Sequence, residues 1–117
     1  MTTATFRPVT ASEKEILSWL LDADSAAKDI VREQLANAVV RPVDTEGSLE
    51  FQTSSSQTVP PGPRIRADAR YRDRDEVYVN LLLHVVDGKV RELEVYKDDG
   101  SPVLTRPSAS LLERAPD

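Results

Sequence analysis

The 117-residue chain predicts an α+β domain: two N-terminal helices packed on one face of an antiparallel sheet of four or five strands. Three observations carry this. Apolar residues recur at helical spacing over the first third of the chain. From Ile65 to Val95 they alternate with polar ones. The two patterns occupy separate stretches, as in α+β rather than α/β folds.

The first helix is entered near Ser12, where "TASE" and "SEKE" both fit a capping box. Ile16, Leu17, Leu20 and Leu21 follow on one stripe, with Trp19 at its edge. Asp22 and Asp24 read as the end of this helix and the cap of the next. There Ala27, Ile30, Val31, Gln34, Leu35 and Ala38 keep the helical period. So short a connection predicts an antiparallel or angled pair. Val39 to Val43 reads as a strand, and Pro42 assigns it to a sheet edge. "DTEG" turns the chain into "SLEFQ", where Leu49 and Phe51 alternate with polar partners. Residues 53–64, "TSSSQTVPPGPR", read as a flexible exposed loop.

In the next strand Ile65, Ala67, Ala69 and Tyr71 face one way, and Arg66, Asp68, Arg70 and Arg72 the other. After a turn at "DRDE", residues Val77, Val79, Leu81, Leu83 and Val85 share a face, continued by Leu93 and Val95. A two-residue turn at Asp87–Gly88 would set Leu81 against Glu94. The expectation is therefore a three-residue loop of Val86, Asp87 and Gly88 with a bulge, pairing Leu81 with Leu93 and Val79 with Val95. "KDDGSP" is a second turn. The reading is a single domain over 1–104, with 105–117 as a C-terminal tail holding a strand stub, a proline break and a weak helix.

The formal net charge of −5 argues against broad attraction to nucleic acid or anionic lipid. Cysteine is absent, which excludes disulfides, thiolate metal sites and a cysteine nucleophile, and suits a reducing cytoplasm. The opening "MTTATFRPVT" lacks the basic and apolar regions of a secretory signal, and no apolar run approaches the roughly 20 residues of a membrane helix. The expected location is cytoplasmic.

No enzyme, metal site or cofactor is expected. His84, the one histidine, has no partner that spacing can argue, and reads as a sheet-surface residue. "DADSAAKDIVRE" sets Asp22, Asp24 and Glu33 at three calcium-loop positions, but Ala26 and Ala27 stand where a ligand and a glycine are required. Glu92, Glu94, Lys97, Asp98 and Asp99 suggest a metal-dependent nuclease only in composition, since the spacing differs. The row Arg64, Arg66, Arg70, Arg72 and Arg74 is the candidate nucleic-acid surface, offset by Asp68, Asp73, Asp75 and Glu76. The preferred reading is a protein-interaction module, homodimeric or partner-binding. Its candidate surface is Tyr78, Leu82, His84, Val86, Val90 and Tyr96 on the even face of the hairpin, or else the 53–64 loop. Neutralising a partner, as small acidic immunity proteins do, is one version by analogy. The rival is a small enzyme or ligand binder with a helix–sheet pocket near Trp19, His84 and Tyr96.

The stretches "FRPVTASEKEILSWLL" (6–21) and "GKVRELEVYKDDGSPV" (88–103) resemble the start and finish of a family of small uncharacterised bacterial domains. Those open with Arg-Pro and a helix, and close on an E-L-(D/E)-x-x-K-x-D-G-x-P hairpin. The resemblance implies a cytoplasmic α+β domain and no established activity or site.

Overall fold

The computed structural model describes residues 5–21 and 28–116. Asp22, Asp24, Ala26 and Ala27, and with them the helix-ending, capping and calcium-loop readings, lie outside the described residues. A two-residue strand β1 (Arg7–Pro8) leads into helix α1 (Ala11–Leu21). The "TASE" box is the one that forms: Glu13 N–H donates to Thr10 Oγ1 at 3.2 Å, and Thr10 N–H returns a bond to Glu13 Oε1 at 2.9 Å. Arg7 grips the same carboxylate through both terminal nitrogens at 2.9 and 2.8 Å. The Arg7 guanidinium thereby holds Glu13 below the usual carboxylate range. Ile16, Leu17, Leu20 and Leu21 are buried, as their stripe requires.

Helix α2 (Lys28–Ala36) buries Val31 and Gln34. Ala38, expected to close this helix, instead begins strand β2 (Ala38–Pro42). Strands β3 (Leu49–Thr53), β4 (Ile65–Arg72), β5 (Tyr78–Val86) and β6 (Lys89–Lys97) follow, then a 3₁₀ turn at Ala109–Leu111. Six strands form one antiparallel sheet in the order β1-β2-β3-β6-β5-β4. The strand beyond the four or five expected is β1. Two residues are too few to carry an alternating pattern, so this strand exists only through its pairing with Val39 and Val40. Pro42 lies past the end of that pairing, where no ladder bond is asked of it. The helices cover the face that holds Val40, Phe51, Ala69, Tyr71, Leu81, Leu83, Leu93 and Val95, all buried.

The hairpin differs from expectation in how its phase is kept. The turn has two residues, Asp87 (φ 52) and Gly88 (φ 79), with Val86 opposite Lys89. Val85 pairs with Val90, but His84 pairs with Glu92, so Arg91 is an extra residue in β6. The bulge does what a longer loop was expected to do. It sets Leu83 against Leu93 and Leu81 against Val95, rather than Leu81 against Leu93, and keeps carboxylates off the core face. A bulge between Ile65 and Ala67 acts likewise in β4. Ile65, expected to face inward, pairs with His84 and stands 43% exposed.

Residues 53–64 are held at several points. Val59 is buried and its N–H donates to Gly88 O at 2.8 Å, while Val85 N–H donates to Arg64 O at 2.7 Å. The segment after residue 104, the expected C-terminal tail, is docked against the domain. Glu113 and Arg70 exchange backbone bonds of 3.0 and 2.8 Å, Leu112 is buried, and Arg114 lies 3.8 Å over the Trp19 ring.

Gly88 is where the loop meets the hairpin. A Cβ there would stand 2.8 Å from Thr58 Cβ and 3.2 Å from Val59 O, on a backbone that already has positive φ. Gly88→Ala is expected to cost about 2–3 kcal/mol, combining left-handed strain with overpacking. Gly100→Ala, at φ 75 with open space around it, should cost about 1 kcal/mol, from strain alone. Urea midpoints of the two variants check the difference.

Candidate docking face

Among the described residues no helix covers the sheet face turned away from α1 and α2, and the even-numbered residues of β5 stand on it. Tyr96 is 41% exposed. Leu82, half-buried, sits between Asp68 of β4 and Glu94 of β6. Val86 is half-buried at the turn, and Ile65 adds an apolar side chain beside His84. Tyr78 has Arg70 3.9 Å over its ring and Arg72 at 5.2 Å. Val90 alone among the candidate surface residues faces the opposite way, while His84 is buried on the sheet face itself. The Arg91 bulge reverses the phase, so Val90 turns into the core with 2% exposure.

His84 is 8% exposed and does have partners. Its Nδ1 accepts from Arg64 Nε at 2.9 Å, so Nε2 carries the proton, facing Glu94 Oε1 at 2.8 Å. Carboxylate, imidazole and a third group in line resemble a catalytic relay. Here the third group is an arginine, which occupies the lone pair a general base would use. Glu92 lies directly across from His84. The acids and the histidine thus converge, on an open face rather than in a closed cleft. Trp19 belongs to the helical layer on the other side of the sheet, so Trp19, His84 and Tyr96 form no common pocket.

The arginine row is engaged internally. Arg66 donates to Pro63 O at 2.6 Å and Pro60 O at 2.8 Å, Arg70 pairs with Glu113 at 3.0 Å, and Arg72 with Glu76 at 3.1 Å. Arg74 reaches Leu104 O at 3.3 Å. With Arg64 on His84, each member of the row has an acceptor of its own, but only Arg70 and Arg72 have a carboxylate partner.

Lys97 sits on the opposite side of β6 from Glu92 and Glu94, so the nuclease-like acid–lysine grouping is divided between two faces. The lysine side chain is 1% exposed and that of Asp73 is 0% exposed. Its ammonium donates to Asp73 Oδ2 at 3.0 Å, Asp75 Oδ2 at 2.7 Å and Pro102 O at 3.2 Å. Asp73 also accepts from the backbone N–H groups of Arg74, Leu104 and Thr105 at 2.8, 2.8 and 3.0 Å. Burial pushes the Asp73 carboxyl up, but the Leu104, Lys97 and Arg74 hydrogen bonds together outweigh it and hold it far below the usual carboxylate range. Asp99 caps Ser101 N–H at 3.0 Å, and Gly100 takes positive φ. The K-D-D-G-S-P ending is therefore a structural clamp. Its signal in the sequence is parity: Lys97 continues the odd-numbered series of Leu93 and Val95 into the interior. Gln34, a polar residue on an apolar stripe, was legible in the same way.

Among the described residues, no group of three or more histidines and carboxylates stands close enough to hold a metal ion, and no helix is long and apolar enough to cross a membrane.

These features define a small two-layer α+β domain with one open, mixed-charge sheet face. The family model described as "Domain of unknown function (DUF6984)" matches residues 6–107, and the chain belongs to that family. The match includes both stretches on which the resemblance to a small uncharacterised family rests. No curated protein and no solved structure matches the chain.

Proposed function

We propose that the domain is a non-enzymatic binding module that docks through its open sheet face, with a second copy of itself as partner. The observation that carries this is the layout of that face. Tyr96, Leu82 and Ile65 form an apolar strip, flanked by arginines 66, 70 and 72 on edge strand β4 and by glutamates 50, 92 and 94 on β3 and β6. A two-fold axis through the strip lays the arginine edge of each copy over the glutamates of the other, the self-complementarity a symmetric interface needs. Capping of His84 Nδ1 by Arg64 supports a binding rather than a catalytic role. The lack of cysteine and the likeness to bacterial domains support a bacterial cytoplasmic setting.

Light scattering on size-exclusion fractions tests the reading. The unaltered chain should elute as a dimer at about micromolar concentration. Leu82→Arg and Tyr96→Glu should each give monomers with circular dichroism unchanged. A chain that stays monomeric at roughly a hundred times that concentration refutes the proposal.

A further inference from the structure

β3 and β6 pair at only two positions, Leu49↔Leu93 and Glu50↔Glu92. Beyond them the strands part at the Arg91 bulge. A groove of about 370 Å³ opens there, with residues 51–53 on one wall and 89–91 on the other. From the helical side, Gln34 bridges the seam. Its Oε1 accepts Val90 N–H at 2.9 Å, and its Nε2 donates to Gly88 O at 2.9 Å and Gln57 O at 2.8 Å. The floor is thus closed and the gap held open by a fully buried side chain.

The walls have two properties. On β3, Ser48 O accepts from Val43 N–H on the β2 side. By alternation Glu50 and Gln52 also direct their amides to β2, while the main-chain groups of Phe51 and Thr53 face the seam, where the Glu50↔Glu92 bridge takes up the Phe51 N–H and leaves Phe51 O and the Thr53 groups without a β6 partner. The mouth is cationic. Arg41 is neutralised by Glu50 at 2.5 Å and stacks 4.5 Å from the Phe6 ring. Lys89 and Arg91, unlike the β4 arginines, have no ion pair or side-chain hydrogen bond among the described residues. In a chain of net charge −5, two uncompensated cations beside main-chain groups that β6 leaves unpaired suit one ligand chemistry. We infer that this groove binds an extended acidic peptide segment, whose backbone lies along Phe51–Thr53 and whose carboxylates are held by Lys89 and Arg91.

The inference does not rest on self-association, although Glu50 lines the groove and also borders the proposed interface. The groove is at the turn end of β6, whereas Tyr96 is at the other end, about five residues or roughly 17 Å away. The probe is a blocked pentapeptide alternating valine with glutamate, compared with its valine–glutamine counterpart by ¹H–¹⁵N chemical shifts on the full chain. The expected result is shifts centred on residues 51–53 and 89–91. The glutamate peptide should bind at least about tenfold more tightly near 50 mM salt, with the preference shrinking near 500 mM. The Lys89→Gln/Arg91→Gln double variant should lose the preference while keeping its melting temperature. The monomeric Leu82→Arg variant should keep it, which separates failure here from failure of the dimer. Absence of shifts, equal affinity for the two peptides, shifts elsewhere, or a preference that survives the double variant would each overturn the inference.

Discussion

Asp73→Ala is expected to lower stability by about 3–5 kcal/mol. The carboxylate is completely enclosed and accepts four bonds, one from Lys97 and three from the backbone at Arg74, Leu104 and Thr105. Removing it strands a buried ammonium with only Asp75 and Pro102 O, and frees the segment that Tyr71 also holds through Thr105 O at 2.5 Å. Lys97→Met should cost less, because Asp73 keeps its three backbone donors. Urea denaturation measures both. Thermolysin adds a local readout, since cleavage before Leu104 should become fast in the Asp73 variant before global unfolding. A change in Asp73→Ala below about 1 kcal/mol would show that the clamp does not hold the C-terminal segment. The depressed Asp73 pKa also sets a pH dependence. Its contribution is complete above the unfolded-state value near 3.9 and is lost as pH falls below it toward the folded value. Unaltered protein should therefore lose stability steeply below about pH 4, and Asp73→Ala should show a shallower acid slope.

Gln34→Met should cost about 3 kcal/mol despite its conserved volume. Methionine fills the space but leaves Val90 N–H, Gly88 O and Gln57 O without the partner that joins them. Only Gly88 O keeps another donor, Val59 N–H. Gln34→Glu should fare no better, since a carboxylate offers no proton to either carbonyl. Denaturant midpoints give the magnitude. Amide hydrogen exchange gives the place: Val59 and Val90 should exchange much faster in Gln34→Met while Leu81 and Leu83 remain protected. Uniform acceleration across the sheet would mean that Gln34 supports the whole core rather than the seam.

Much of this was legible in local pattern. The stripe of Ile16, Leu17, Leu20 and Leu21 placed α1, and the alternation from Ala67 to Tyr71 and from Val79 to Leu83 placed the core faces of β4 and β5. The readings that failed share one cause. Ile65, Val90 and the Leu81 register all depend on a single extra residue in a strand, and a bulge leaves composition unchanged while inverting the phase beyond it. β1 failed for a related reason, being too short to have a period. The 53–64 loop has the composition of a flexible segment, yet Gln34, Gly88 and Val85 hold it through its backbone, which side-chain composition does not report.

By itself the sequence determined the α+β class, the order of helices before most of the sheet, and which face of each long strand meets the core. Periodicity follows from backbone geometry within a few residues, so the chain displays it openly. Tertiary structure alone decided that the Arg91 bulge parts β3 from β6, that Gln34 bridges the opening, that Lys97 and Asp73 close the C-terminal clamp, and that Arg64 caps His84. Each of these joins residues distant in the chain through a few hydrogen bonds or one inserted residue, and such contacts exist only once the strands have paired.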